Sequence, residues 1–302
     1  MFNRIVSGIN NRLKLYYTAF TSIIPKIIFG NTIGFKYNMI ANSELAKFRK
    51  SFKGISNLKE NIVSNSDSLT KYGYITLPKV LDAVITKTVK EKYDAMIEDP
   101  KWSVSSPNGF TRFLNDPIKH IPEVVDLLCP EIFDTIQSYY KTAFRIESVR
   151  AWRNYHVPGY DPDRMDAFSN TFHNDYLPVT GLRVFILLSD GVTRETGATK
   201  LHDKVRSKEI VRSLKYFHRF KLSQKSINYL NDPNKLIYFE GGLGDACICN
   251  TQECLHAASI PKKDTLRDVL QFEIYPAEGN VEDKETIFKQ VPEDTEVMIL
   301  RK

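Results

Sequence analysis

Phe172-His173-Asn174-Asp175-Tyr176 is the stretch on which the reading of the fold turns, because it sets an imidazole and a carboxylate two residues apart. In an extended chain, residues i and i+2 point to the same face. A strand through this segment therefore offers His173 and Asp175 to a single metal ion. By itself a His-x-Asp triplet is common, and an exposed loop pair explains it equally well. Its weight depends on what stands elsewhere in the chain.

Downstream, Gly241-Gly242-Leu243-Gly244-Asp245 turns into the apolar run Ala246–Cys249, and His256 follows shortly before Arg267. Two histidines and one carboxylate form the facial set suited to non-haem Fe(II), which keeps positions open for a co-substrate and O2. Zinc more often takes a closed tetrahedral set. Cys247, Cys249 and Cys254 beside His256 raise that rival, but no paired Cys-x-x-Cys knuckle is present, and free cysteine is common in buried strands. If Pro261-Lys262-Lys263-Asp264 is a four-residue hairpin turn, Ala258 pairs with Arg267 and His256 with Val269. Cross-strand partners share a face. On this assumed register His256 and Arg267 are diagonal neighbours, and the guanidinium is placed to grip a carboxylate through two hydrogen bonds.

With these residues assembled, the chain resembles the phytanoyl-CoA dioxygenase-like branch of the Fe(II)/2-oxoglutarate-dependent oxygenases. The resemblance rests on His173-Asn174-Asp175, Gly197-Ala198-Thr199 followed by His202, Gly244-Asp245, His256, and Arg267 eleven positions later. Tyr72-Gly73-Tyr74-Ile75-Thr76-Leu77-Pro78 is similar to the family's first strand. The likeness covers about residues 72–276. It implies a double-stranded β-helix, or jelly roll of cupin type, with His173, Asp175 and His256 as metal ligands and catalytic residues. It also implies Arg267 on the distal carboxylate of 2-oxoglutarate and Asn154, in Trp152-Arg153-Asn154-Tyr155, near the co-substrate. A strand-end asparagine bonded to backbone is an equal account of Asn154. Two departures bear on co-substrate contacts. Ala258 stands where the family commonly has Ser or Thr, and the Gly-Ser-His element is spread into Lys200-Leu201-His202. Asp175 is intact, whereas related halogenases replace that carboxylate, so the resemblance implies hydroxylation with release of succinate and CO2.

Working outward, strand-like runs dominate the second half: Ile146–Tyr155, Leu182–Ser189, Leu236–Phe239, Ala246–Asn250 and Val269–Tyr275. Helical spacing of apolar residues marks Val80–Ile97, Glu123–Phe144 with an interruption at Pro130, and Lys208–Lys221. Helices early and strands late predict an α+β protein with a mainly β core, flanking helices and an N-terminal helical extension. We read residues 1–71 as that extension, with Ser51–Ser68 as polar helix or linker, and residues 72–302 as the oxygenase domain. Pro158–Asn170, leading into His173, reads as a mobile lid.

The whole chain has 302 residues, 42% hydrophobic and 26% charged, which excludes disordered and collagen-like classes. Four cysteines are too few for a disulfide framework, and no apolar run ends at a small-residue cleavage site. Both point to a reduced, cytoplasmic protein. Lys and Arg number 42 against 36 Asp and Glu, and the resulting +6 selects no partner by itself. Residues 1–43, however, carry Arg4, Arg12, Lys14, Lys26 and Lys36 with no Asp or Glu, alongside Phe2, Ile5, Val6, Ile9, Leu13, Tyr17, Phe20 and Ile24 at helical spacing. This stripe fits a helix packed on the domain, a peripheral contact with an anionic membrane, or an organelle-targeting peptide. Two functions stay open. One is a dioxygenase acting on a small-molecule or carrier-linked metabolite with Fe(II), 2-oxoglutarate and O2. The other is a non-catalytic jelly-roll module that docks on membrane through the basic N-terminus, with nucleic acid the weaker partner.

Overall fold

The computed structural model describes residues 35–52, 54, 58–160, 170–175, 178–214, 229–230 and 232–279. Along the chain run α1 (Phe35–Ser51), α2 (Glu60–Tyr72), β1 (Tyr74–Leu77), α3 (Ala83–Ile97), β2 (Ser103–Ser105), β3 (Thr111–Leu114), α4 (Pro117–His120) and a 3-10 turn at Pro122–Leu127. Then come α5 (Pro130–Tyr140), β4 (Ala143–Tyr155), β5 (Leu182–Leu187), β6 (Thr199–Leu201), α6 (Lys204–Leu214), β7 (Ile237–Phe239), β8 (Ala246–Cys249), β9 (His256–Ala258) and β10 (Leu266–Ala277). All strand pairs among the described residues are antiparallel. They form a seven-stranded sheet ordered β1-β8-β5-β10-β4-β3-β2 and a three-stranded sheet ordered β7-β6-β9. This is the β-sandwich core with flanking helices that the strand-rich second half predicts.

Alternation sorts the side chains of the large sheet. One face of β4, β5, β8 and β10 presents Val149, Ala151, Val184, Ile186, Ile248, Leu270, Phe272 and Ile274, which pack with Val89, Tyr93, Ile97, Ile132, Ile136 and Tyr140 of α3 and α5. The other face looks toward the small sheet, where Phe185, Leu187, Cys247, Cys249 and Val269 meet Ala198 and Phe239. A third cluster joins the small-sheet residue Ala257 to Ile210 and Val211 of α6. Helix ends follow ordinary rules. Asp82 caps α3, its Oδ1 accepting from Val84 N and Ile85 N at 2.8 and 3.0 Å. α2 stops at Gly73, whose φ of 80° and contact with Cys254, where an added Cβ would stand 2.7 Å from Sγ, admit only glycine.

Several expectations need correction. The helical run from Glu123 to Phe144 is a 3-10 turn and α5, and it ends at Tyr140 because Lys141 adopts left-handed φ (53°) and the chain turns into β4. The hairpin register between His256 and Arg267 does not form. β9 pairs with β6, and β10 lies between β4 and β5 in the other sheet. Pro261 sits in the crossing: Ser259 N bonds Ala198 O at 3.1 Å, Lys262 N bonds Glu195 O at 3.1 Å, and the chain then changes sheets. Of the N-terminal segment, α1 lies against the domain through Ala41, Leu45 and Arg49, whose Nε donates to Tyr140 O at 2.7 Å. Residues 1–34, which carry most of the basic apolar stripe, lie outside the described residues, as do residues 161–169 of the expected lid and residues 215–221 of the Lys208–Lys221 helix. Among the described residues no helix is long and apolar enough to cross a membrane.

Candidate metal centre and its cavity

His173 and His256 form an isolated antiparallel bridge at the edge of the small sheet, each amide donating to the other's carbonyl at 3.0 and 2.9 Å. The pairing brings the two rings to 4.4 Å between centroids. Two residues on, Asp175 N bonds Thr251 O at 3.1 Å, which returns Asp175 to the same side as His173. The alternation expected for His-x-Asp is thus realised by a bridge and a loop contact rather than by a full strand. Ligand atoms of the three residues all lie within 4.8 Å of one another, and this is the one such cluster of three among the described residues.

Each of the three is held by a second partner that leaves one atom directed at the shared point. His173 Nδ1 lies 2.8 Å from Thr171 O and His256 Nδ1 lies 3.2 Å from Cys254 O. Anchoring each ring through Nδ1 turns Nε2 of both histidines toward the shared point. Asp175 Oδ2 accepts from Thr251 Oγ1 at 2.7 Å and Arg183 Nε at 3.3 Å. Its Oδ1 is left 3.8 and 3.9 Å from the Nε2 atoms of His173 and His256. Burial alone would raise the pKa of Asp175. His256, Arg183, His173 and the Thr251 hydroxyl outweigh it and hold the carboxyl well below the usual carboxylate range. Two imidazoles and a carboxylate on one side of an open space are a donor set that fits Fe(II). The cysteines compete poorly for a metal, since burial pushes the Cys247 thiol far up, away from the thiolate that zinc requires.

The cluster opens on a cavity of 430 Å³ between the sheets, lined in part by Thr111, Arg150, Trp152, Asn154, Thr199 and Arg267. Arg267 is 3% exposed. Its Nη1 donates to Gly197 O at 2.6 Å and Thr199 Oγ1 at 3.2 Å, while Nε has no partner. Burial lowers its pKa to about 10, so the cation is one the protein keeps without a carboxylate of its own at hand. A buried guanidinium that lines the cavity and has an N–H without a partner fits the carboxylate of a keto-diacid. Gly197 leaves room for it. Its φ is +106°, and a Cβ there would stand 3.0 Å from Pro261 and 3.4 Å from Arg267 Cβ. Thr199 is directly opposite Ala258 in the β6–β9 ladder. A hydroxyl therefore reaches Arg267 although residue 258 has none.

Asn154 stands directly across from Arg267 on β4. Its Oδ1 accepts from Trp152 Nε1 at 3.0 Å and its Nδ2 donates to Thr111 Oγ1 at 3.0 Å, so most of its capacity goes to bracing β3 against β4. His202 is fully buried, with Nε2 2.8 Å from Leu230 O and its ring against Phe172, away from the cavity lining. Thr251, Arg183 and Arg150 were not singled out from the sequence. They come from a turn and from interior strand positions, and no local spacing marks them.

No protein-family model and no curated protein sequence matches the chain. Solved structures do match. The epimerase SnoN from nogalamycin biosynthesis, in complex with Fe3+, alpha-ketoglutarate and nogalamycin RO, superposes with TM-score 0.54 at 14% identity over 80% of this chain and 94% of its own. EctD from S. alaskensis, with 2-oxoglutarate and 5-hydroxyectoine, gives 0.53 at 13% identity over 74% and 79%. SnoK, a non-heme alpha-ketoglutarate-dependent carbocyclase from nogalamycin biosynthesis, gives 0.51 at 15% identity over 79% and 93%. At these identities the likeness is one of fold.

Proposed function

We propose that the chain is an Fe(II)- and 2-oxoglutarate-dependent oxygenase of the phytanoyl-CoA dioxygenase-like type, hydroxylating a small-molecule or carrier-linked metabolite with release of succinate and CO2. The observation that carries this reading is the convergence, on one cavity, of a His173–Asp175–His256 donor set and the partnerless Nε of Arg267. Support also comes from the neighbours, whose structures hold iron or 2-oxoglutarate on the same fold. Their reactions differ, as epimerase and carbocyclase, so hydroxylation rests on the sequence resemblance and on the intact Asp175.

Bound iron would supply, with 2-oxoglutarate and O2, the oxidising chemistry that no side chain provides. What the chain's own residues do is local. Thr171 O and Cys254 O anchor the imidazole rings, and Thr251 with Arg183 fixes the unused oxygen of Asp175. Arg267, steadied by Gly197 O and Thr199, presents Nε to the distal carboxylate of the co-substrate. Trp152, Phe185 and Phe113 give the cavity an apolar wall that limits water.

The test is succinate release from 2-oxoglutarate by the Fe(II)-loaded full chain, with His173→Ala, Asp175→Ala and His256→Ala beside it. Each substitution is expected to abolish turnover and Fe(II) binding while leaving the far-ultraviolet circular dichroism unchanged. Undiminished succinate production by any one of them would refute the ligand assignment.

A further inference from the structure

Three guanidinium groups serve this site: Arg150, Arg183 and Arg267. Among the described residues, two carboxylates face them. Asp175 is held by Arg183 at 3.3 Å. Glu273, behind the wall, pairs with Arg183 and also accepts from Ser148 Oγ at 3.0 Å and Tyr275 OH at 2.8 Å. Arg150 reaches Glu273 only at 3.9 Å, and its buried Nε has no hydrogen-bond partner. Among the described residues these groups leave one positive charge over. Fe(II) and dianionic 2-oxoglutarate would cancel each other and leave that surplus standing.

Arg150 and Arg267 are also rooted at different levels of the sheet. On the cavity face of β4 and β10, Arg267 lies opposite Asn154, and Gln271 lies opposite Arg150. The four residues from 267 to 271 span roughly 13 Å of strand. A five-carbon diacid, with four C–C bonds of about 1.5 Å, measures under ~6 Å end to end. The two arginines therefore start from backbone positions further apart than one diacid is long, with Trp152 between those levels on β4. Burial lowers the pKa of Arg150, with Arg183 adding to it and Glu273 opposing, as expected of a cation short of counter-charge.

Resting on the oxygenase reading above, we infer that Arg150, with Gln271 across the ladder, is the anchor for an anionic group of the primary substrate, a carboxylate or a phosphate ester. Arg150 orients the substrate by two parallel hydrogen bonds, and a neutral or cationic analogue leaves it with only the long contact to Glu273.

The test loads the full chain with Mn(II) and saturating 2-oxoglutarate without O2, then titrates phenylacetate, phenyl phosphate and uncharged phenylacetamide by calorimetry. Wild type is expected to bind at least one anion roughly tenfold or more tightly than the amide. Arg150→Gln is expected to erase that preference and Arg150→Lys to keep part of it, both with unchanged melting temperature and unchanged Kd for 2-oxoglutarate. Which anion is preferred separates carboxylate from phosphate substrates. Binding of neither anion by wild type, an equal preference in Arg150→Gln, or a loss of 2-oxoglutarate affinity in that variant each overturns the inference. If wild type fails to bind 2-oxoglutarate, the parent reading falls instead, and the same titrations with Mn(II) alone decide Arg150 separately.

Discussion

The two sides of the β4–β10 pair are both buried, yet they treat arginine in opposite ways. On the helix side, Arg153 is enclosed by acceptors: Asp268 at 2.7 and 2.9 Å, Asp94 at 2.8 Å and Glu98 at 2.8 Å. One residue further along each strand, on the cavity side, Arg267 meets a carbonyl and a hydroxyl and keeps Nε in reserve. Burial works against charge on both. On the helix side Asp268 and Glu98 more than repay it and the Arg153 pKa rises, whereas at Arg267 it falls to about 10. A sheet can thus carry a closed charge network that belongs to the fold and an unfinished one that belongs to a ligand, separated only by the pleat.

The largest expected effect comes from opening the closed side. Arg153→Met leaves Asp268, which is 0% exposed, without its main partner, and should cost about 3–5 kcal/mol in urea unfolding while 2-oxoglutarate affinity of the folded fraction holds. A loss below about 1 kcal/mol would erase the distinction between the two sides. The converse change, Arg267→Ala, should leave stability within about 1 kcal/mol. It should weaken 2-oxoglutarate binding to the metal-loaded protein by roughly 10–100-fold, since charge-assisted bonds are worth about 1.5–3 kcal/mol. An unaltered dissociation constant would give that carboxylate to another base. The smallest effect sharpens the comparison by pH. Burial alone would raise the Glu98 pKa, but hydrogen bonds from Arg153, Tyr155 and Arg112 outweigh it and the folded value lies below 4.5. A depressed carboxyl contributes stability above its unfolded pKa and loses it as pH falls through the folded one. The stability gap between wild type and Glu98→Gln should therefore be full at neutral pH and shrink below about pH 4.5. As Glu98 is half exposed, that gap stays within about 0–1 kcal/mol.

Legibility in the sequence followed element length and the reach of each contact. β4, β5, β8 and β10 announce themselves because apolar residues recur at their buried positions over runs of four to thirteen. β2, β6 and β9 have three residues each and mixed character, too short for any period to register. The spacing of His173 and Asp175 could be read locally, and their convergence with His256 is a fact of tertiary structure that spacing alone does not supply. The proposed hairpin failed for the same reason. A plausible four-residue turn says nothing about which sheet each arm joins, and here Pro261 carries the chain from one to the other. Thr251 and Arg150 stayed invisible because their partners Asp175 and Glu273 lie tens of residues away, and Arg183 because its contact with Asp175 follows no helix or strand period.

The backbone exchange between His173 and His256 ties the integrity of the site to the opening of one short sheet edge. The two backbones cannot part without breaking two amide hydrogen bonds, so the ligand pair lasts no longer than that edge. Those two amides are consequently an internal isotope clock. Their deuterium uptake counts the moments at which the chain ceases to be a chelator.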